Sequence, residues 1–188
     1  MSDDPVRTIV ETDQGTLEFQ HYFVREQCRP RVRAIRFEGA ATARPLPALA
    51  QALAEPGLAG IVICPSNPYL SIDPILAVPG MRALLRGAGV PIVVVSPIVG
   101  GQAIKGPTAK IMAELGLPGD ATAVARHYAG LIDGFILDAA DANLQTRLEL
   151  PVHVTNTIMR TLDDKCRLAA TCIAFCQHLR ATGGEPKP

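Results

Sequence analysis

The sequence predicts an α/β fold: a mostly parallel, Rossmann-like sheet with helices on both faces, preceded by an N-terminal β-hairpin. Three observations carry that prediction. Short β-branched runs such as Ile61-Val62-Ile63 and Ile92-Val93-Val94-Val95 alternate with segments of helical apolar spacing, which is the grammar of parallel sheets. Residues 7–20 show partial apolar alternation on either side of Asp13-Gln14-Gly15, a hairpin pattern. At 188 residues, with Leu, Ile, Val and Ala dominant, the chain suits a single α/β domain over 1–188 with a sizeable core.

The elements follow in order. The hairpin pairs 8–12 with 16–19, and a short helix is expected over 21–26. Val32 to Phe37 alternates apolar and charged residues, giving a strand with one wet face. A helix over 45–54 begins with Pro45 in its first turn and ends before Gly57. Strand 61–64, read as buried on both faces, then leads to a helix near 79–87 and to strand 91–95. Helices 107–115 and 121–129, strand 134–138, helix 141–148, strand 152–155 and helix 161–181 complete the series. Each crossover should be right-handed, and the tail 183–188, rich in Gly, Pro and Lys, is expected to fray.

Composition excludes several classes of function. Eighteen basic and eighteen acidic residues balance, and the densest basic group, Arg29, Arg31, Arg33 and Arg36, reads as a solvated strand face or an interface. No nucleic-acid partner is indicated, and no apolar run approaches bilayer length, so no membrane partner is indicated either. The five cysteines form no CxxC pair, and with no signal peptide they point to a reduced, cytoplasmic setting. Cys166, Cys172 and Cys176 share one predicted helix with Ala, Leu and Ile, where cysteine acts as a small core hydrophobe. The four histidines lie on different predicted elements, so no metal site is assigned; His153, amid apolar strand neighbours, is expected to be semi-buried.

Two strand-to-loop passages concentrate the chemistry. After strand 61–64, Ser66, Asn67 and Ser71 stand among Pro65, Pro68 and Pro74, and prolines hold such side chains in place before a ligand arrives. After strand 91–95 come Ser96, the pair Gly100-Gly101, Lys105 and Gly106-Pro107. Paired glycines permit close backbone approach, Lys105 offers a cation, and Pro107 opens a helix. Loops at the carboxyl ends of neighbouring parallel strands line one crevice, and glycines, a lysine and a helix N-terminus suit a phosphate. Pro65, Ser66, Asn67, Pro68, Ser71, Ser96, Gly100, Gly101, Lys105 and Gly106 are therefore the candidate nucleotide-binding residues, with no catalytic residue assigned. Asp138 and Asp141 bracket a strand end, where Asp141 reads as a helix N-cap, and Thr161 with Asp164 reads as a capping box. Neither GxGxxG nor GxxxxGK[ST] occurs.

The run Cys64-Pro65-Ser66-Asn67-Pro68, continued by Ser71-Ile72-Asp73-Pro74-Ile75-Leu76-Ala77-Val78-Pro79-Gly80, resembles the signature of the 2-phospho-L-lactate transferase (CofD-like) family. Val95-Ser96-Pro97-Ile98-Val99-Gly100-Gly101, Ile104-Lys105-Gly106-Pro107, Arg36-Phe37-Glu38-Gly39 and Val154-Thr155-Asn156-Thr157 are similar to the same family in the same order. The resemblance implies transfer of a phospho-lactyl or phosphoenolpyruvyl group from a guanosine-diphosphate-linked donor to a deazaflavin precursor, with release of GMP and a requirement for magnesium. It also implies that Asp3 and Asp4 lie at the edge of the acceptor site, against the plainer reading of two solvated acids. The family's Gly-Gly-Thr-Gly type turn is not found here, so the chain corresponds to the carboxyl-terminal part of a longer transferase domain. Magnesium ligands are then expected in the amino-terminal part, and the chain alone is expected to be inactive. A non-catalytic regulatory protein of related fold that binds a nucleotide or nucleotide sugar is the alternative, and a homodimer is left open.

Overall fold

The computed structural model describes residues 1–104 and 106–183. The expected tail, apart from Gly183, lies outside them. Strands β1 (Arg7–Thr12) and β2 (Gly15–Glu18) form the hairpin, and β3 (Val32–Glu38) pairs antiparallel along the other side of β1. Val10 thereby sits between Leu17 and Ile35 and is fully buried. The expected helix after the hairpin is a π-helical turn, His21–Arg25, in which Glu26 N donates to His21 O at 2.9 Å. Arg36, from the basic group, pairs with Glu11 and Glu38 on this small sheet.

Helix α1 (Pro47–Leu53) starts two residues later than expected, because Pro47 rather than Pro45 takes the first-turn position. The parallel sheet follows with β4 (Ile61–Ile63), and the chain then passes through α2 (Asp73–Leu76) and α3 (Met81–Gly87) to β5 (Ile92–Val95). A small hairpin, β6 (Ile98–Val99) with β7 (Gln102–Ala103), precedes α4 (Thr108–Glu114) and α5 (Ala121–His127). Strand β8 (Gly134–Asp138), a 3₁₀ stretch Ala139–Arg147, β9 (Val152–Thr155) and α6 (Leu162–Thr182) end the fold. The 3₁₀ stretch replaces an expected α-helix: its buried residues, Asp141 and Leu144, are three apart, the period of that tighter turn.

Strand order in this sheet is β4-β5-β8-β9, all parallel, with Ile61 beside Ile92, Val93 beside Gly134 and Phe135 beside Val152. Sequential parallel strands with right-handed crossovers send every intervening helix to one face. The core divides accordingly. Ile92, Val94, Phe135 and Leu137 pack with Ile111, Met112 and Val124, whereas Val93, Val95 and Ile136 pack against Leu168, Cys172 and Phe175 of α6. Each fully buried side chain of this size contributes about 1.5–3 kcal/mol.

Helix α6 lies close on the sheet, and two glycines permit it. A Cβ on Gly60 would meet Cys176 Sγ at 2.5 Å, and one on Gly134 would meet Phe175 at 2.7 Å. Cys172 and Cys176 are buried as core hydrophobes, but Cys166 points to solvent on the flank of the same helix. The predicted capping box at its start is present, with Thr161 accepting from Asp164 N and Asp164 accepting from Thr161 N.

Two burial expectations are corrected. β4 is an edge strand, so Val62 is 37% exposed rather than buried on both faces. β9 is the other edge, and His153 is exposed there with its ring 5.6 Å from that of Phe175. Among the described residues no helix is long and apolar enough to cross a membrane.

Candidate functional site

At the carboxyl ends of the parallel strands, three loops meet around a cavity of about 110 Å³. The first leaves β4. Pro68 holds Asn67 in an extended conformation (φ −63°, ψ 118°), as a residue before proline must be, and the Asn67 side chain turns back on the loop. Its Oδ1 accepts from Tyr69 N and Leu70 N, both at 3.0 Å, capping a π-helical turn Pro68–Ile72. Tyr69 and Leu70 are buried beneath. Farther on, Asp73 Oδ1 lies 2.7 Å from His127 Nε2 of α5, and the imidazole stands edge-on to Tyr69 and Tyr128. Burial, and then the nearby Asp73, push the Tyr69 hydroxyl up to about 12, so it stays a neutral phenol.

The second loop leaves β5. Ser96 is buried, and its hydroxyl donates to Ile98 O at 2.8 Å while accepting from Ile98 N at 3.2 Å. That hydroxyl shapes the turn over Pro97. Gly100 and Gly101 are the two central residues of the β6–β7 hairpin, with φ of 58° and 73°. A two-residue turn with positive φ at both positions demands glycine or a close substitute, so the turn itself accounts for the pair. A Cβ at Gly100, Gly101 or Gly106 would meet nothing within 4 Å, so no neighbouring protein atom requires glycine there.

Two carboxylates bind the loops together. Asp138, at the end of β8, accepts from Ala140 N at 2.9 Å, Thr157 N at 2.7 Å and Thr157 Oγ1 at 2.9 Å. Burial alone would push its carboxyl up, but these donors outweigh burial and hold it below the ordinary carboxylate value. Asp141 Oδ2 accepts from Gly100 N at 2.9 Å. The N-cap is therefore Asp138, not Asp141 as the sequence suggests, and Asp141 reaches across to the glycine hairpin.

Of the sequence candidates, the structure brings Pro65, Asn67 and Ser96 to the cavity wall, and Pro68 is buried in the turn that follows Asn67. Ser71 is exposed on the π-helical turn, and Ser66, Gly100, Gly101 and Gly106 do not line the cavity. The Gly100 amide, expected to face a phosphate, is committed to Asp141. Lys105 lies outside the described residues. Asp3 and Asp4 stand on the exposed N-terminal segment, where Asp4 accepts from Arg44 N at 2.9 Å, away from the cavity lining. The sequence candidates did not include Pro97, Val99, Ile104, Thr108, Thr157, Ile158 and Met159, which also line the wall. The polar run Thr155-Asn156-Thr157 after a parallel strand was the available signal.

One wall atom stands out. Asn67 Nδ2 is buried and has no hydrogen-bond partner among the described residues. A larger, more open hollow of about 350 Å³ lies on the N-terminal hairpin between Arg7, Thr8, Glu18, Phe19 and Gln20, and no orphaned buried donor faces it. Among the described residues no three His, Cys, Asp or Glu side chains are grouped to hold a metal ion.

Comparison with known proteins agrees with the sequence signature. Residues 1–170 match the family model described as 2-phospho-L-lactate transferase CofD. The chain is 38% identical over 189 residues to a protein of Streptomyces griseus named phosphoenolpyruvate transferase, covering 96% of this chain and 59% of that one. It is 36% identical over 183 residues to a protein of Methanocaldococcus jannaschii named 2-phospho-L-lactate transferase, covering 95% and 58%. The chain thus spans less than three fifths of the length of these relatives.

Proposed function

The chain belongs to the 2-phospho-L-lactate transferase family, and on that premise we propose that it supplies the donor-nucleotide side of such a transferase. The reaction moves a phospho-lactyl or phosphoenolpyruvyl group from a guanosine-diphosphate-linked donor to a hydroxyl of the deazaflavin precursor. The hydroxyl oxygen attacks the phosphorus that carries the lactate or enolpyruvate oxygen and loses its proton. The bond from that phosphorus to the bridging oxygen breaks, and GMP leaves with the electron pair. Catalysis of this kind rests on positioning and charge stabilisation.

The observation that carries the reading is the buried, unpartnered Asn67 Nδ2 in a cavity at the carboxyl ends of parallel strands. Open α/β sheets bind ligands there, and a buried donor without a partner costs about 1–3 kcal/mol unless a ligand satisfies it. The names of the relatives support the choice of transferase over the regulatory alternative. Magnesium, implied by the resemblance, finds no grouped ligands among the described residues, so no step is derived through it. Because the named relatives are longer than this chain, nucleotide binding rather than turnover is the property to test on residues 1–188.

The test is calorimetry of the full chain with GDP and magnesium, beside Asn67→Ala. Binding by the wild type and weaker binding by the variant support the assignment. Equal heats for both proteins, or none with the wild type, sink it.

A further inference from the structure

We propose that the free edge of β4 and the neighbouring flank of α6 form one docking surface, and that its occupant is a strand-and-helix unit of the polypeptide that the longer relatives carry outside the matched region. None of the residues that build this surface lines the nucleotide cavity. Parallel sheets occur almost only with both faces covered. Here the crossover helices take one face, and among the described residues the buried side chains packed on the other face all come from α6.

No strand lies beyond β4 among the described residues. Ile61 N donates to Pro91 O at 2.8 Å on the β5 side, so by alternation the Val62 amide and carbonyl point outward. Val62 stands beside Val93, which packs beneath α6, so its side chain is on the α6 face, where it is 37% exposed. An edge with outward backbone groups and an exposed apolar side chain is a template for pairing with another strand.

The wall of the surface is α6. Leu162, Cys166, Ala169 and Ile173 are all exposed, and their spacing places them in one stripe along the helix. Seven residues beyond Ile173, Arg180 continues the stripe and donates through Nη1 to Leu58 O at 3.4 Å, just before β4. The stripe therefore looks toward the β4 edge, with Val62 as the floor of the step between them. Its four residues are uncharged, so a helix that docks there presents an apolar face.

Distances decide the occupant. Close approach to Gly60, just before β4, and to Gly134, at the start of β8, centres α6 over β5. Strands stand about 4.8 Å apart, so a strand added beyond β4 lies about 10 Å from β5, and a helix above it lies about 10 Å from α6. That matches the separation of about 8–10 Å at which helices pack. A second copy joined through β4 across a two-fold axis would leave the two α6 helices about 14 Å apart, with a gap between their stripes. About two fifths of each relative named above lies outside the match, ample for a unit of about 30 residues.

The test co-expresses the full chain with the part of the Streptomyces griseus relative that lies outside the match, and reads the product by size-exclusion chromatography and amide hydrogen exchange. Wild type should give a one-to-one complex in which exchange at the Val62 amide slows by about tenfold or more. Val62→Lys and Ile173→Lys would bury an unpaired charge on docking and should each weaken the complex by about tenfold or more. His153→Lys, on the opposite edge strand, should not. All three positions are exposed, so the melting temperatures of the variants should match wild type. No complex with the wild type, unslowed exchange at Val62 within the complex, or equally tight complexes with both α6-face lysine variants would overturn the proposal. A dimer of the chain alone that Val62→Lys and Ile173→Lys dissolve would make a second copy the occupant and overturn it as well. Failure of GDP to bind sinks the nucleotide reading and leaves this surface standing.

Discussion

Asp138 and Thr157 fasten the ends of β8 and β9: one carboxylate oxygen accepts both the Thr157 amide, at 2.7 Å, and its hydroxyl, at 2.9 Å. This pair places Thr157 and the following Ile158 and Met159 on the cavity wall. Removing the carboxylate would leave a buried amide without an acceptor.

Asp138→Ala should therefore cost about 1–3 kcal/mol, and Thr157→Val, which leaves the amide bond in place, about 0.5–1.5 kcal/mol. Urea unfolding at neutral pH measures both. The Asp138 carboxyl is held below its ordinary value of 3.8, so its contribution is complete above that value and is lost as pH falls through the lower folded value. The stability gap between wild type and Asp138→Ala should thus narrow on acidification below about pH 4.

Gly134→Ala should destabilise by about 1–3 kcal/mol, because the new methyl group meets the Phe175 ring and Leu179 at 2.7–2.8 Å. Phe175→Leu should recover part of that loss in the double variant, since the clashing ring atoms are gone. Strict additivity of the two effects would show that α6 does not press on Gly134.

His127→Ala should loosen the loop that carries Asn67. Asp73 loses its partner at 2.7 Å, and Tyr69 loses an edge-on neighbour. The expected cost is about 1–3 kcal/mol, with faster hydrogen exchange at the Tyr69 and Leu70 amides that Asn67 caps. Unchanged exchange there would separate the Asp73–His127 pair from the loop.

Thiol alkylation should divide the cysteines by burial. Cys64 and Cys166 are exposed and should react in the native protein, while Cys172 and Cys176 should react only on unfolding. Burial pushes the Cys172 thiol up to about 11 from an ordinary 9.0. The raised value means its contribution is full below pH 9 and is lost as pH rises toward 11, so alkaline unfolding should expose it. Mass spectrometry after a short iodoacetamide pulse distinguishes the sites.

Periodicity made the sheet legible. Short apolar runs starting at Ile61, Ile92 and Gly134 placed three parallel strands to within a residue or two, and the Thr161–Asp164 pair marked the start of α6. It could not say that β4 lies at an edge, because Ile-Val-Ile reads alike in the middle of a sheet and at its rim; on this edge strand Val62 is 37% exposed. The same limit applied to the site. Asn67 and Ser96 were visible as polar residues at strand ends, but their hydrogen bonds run in opposite senses for function: Ser96 spends its hydroxyl on Ile98, and Asn67 keeps a donor in reserve.

By itself the sequence determined the order of elements, the proline-bounded Asn67 loop and the family signature, since these follow from local propensity and from motifs contiguous in the chain. Tertiary structure alone decided what the glycines and carboxylates do. Gly100 and Gly101 serve a hairpin turn, Asp141 reaches 41 residues back to Gly100, and Asp138 reaches 19 forward to Thr157. Hydrogen bonds between distant residues depend on which strands become neighbours, and neighbourhood is set by packing across the whole sheet rather than by any local pattern.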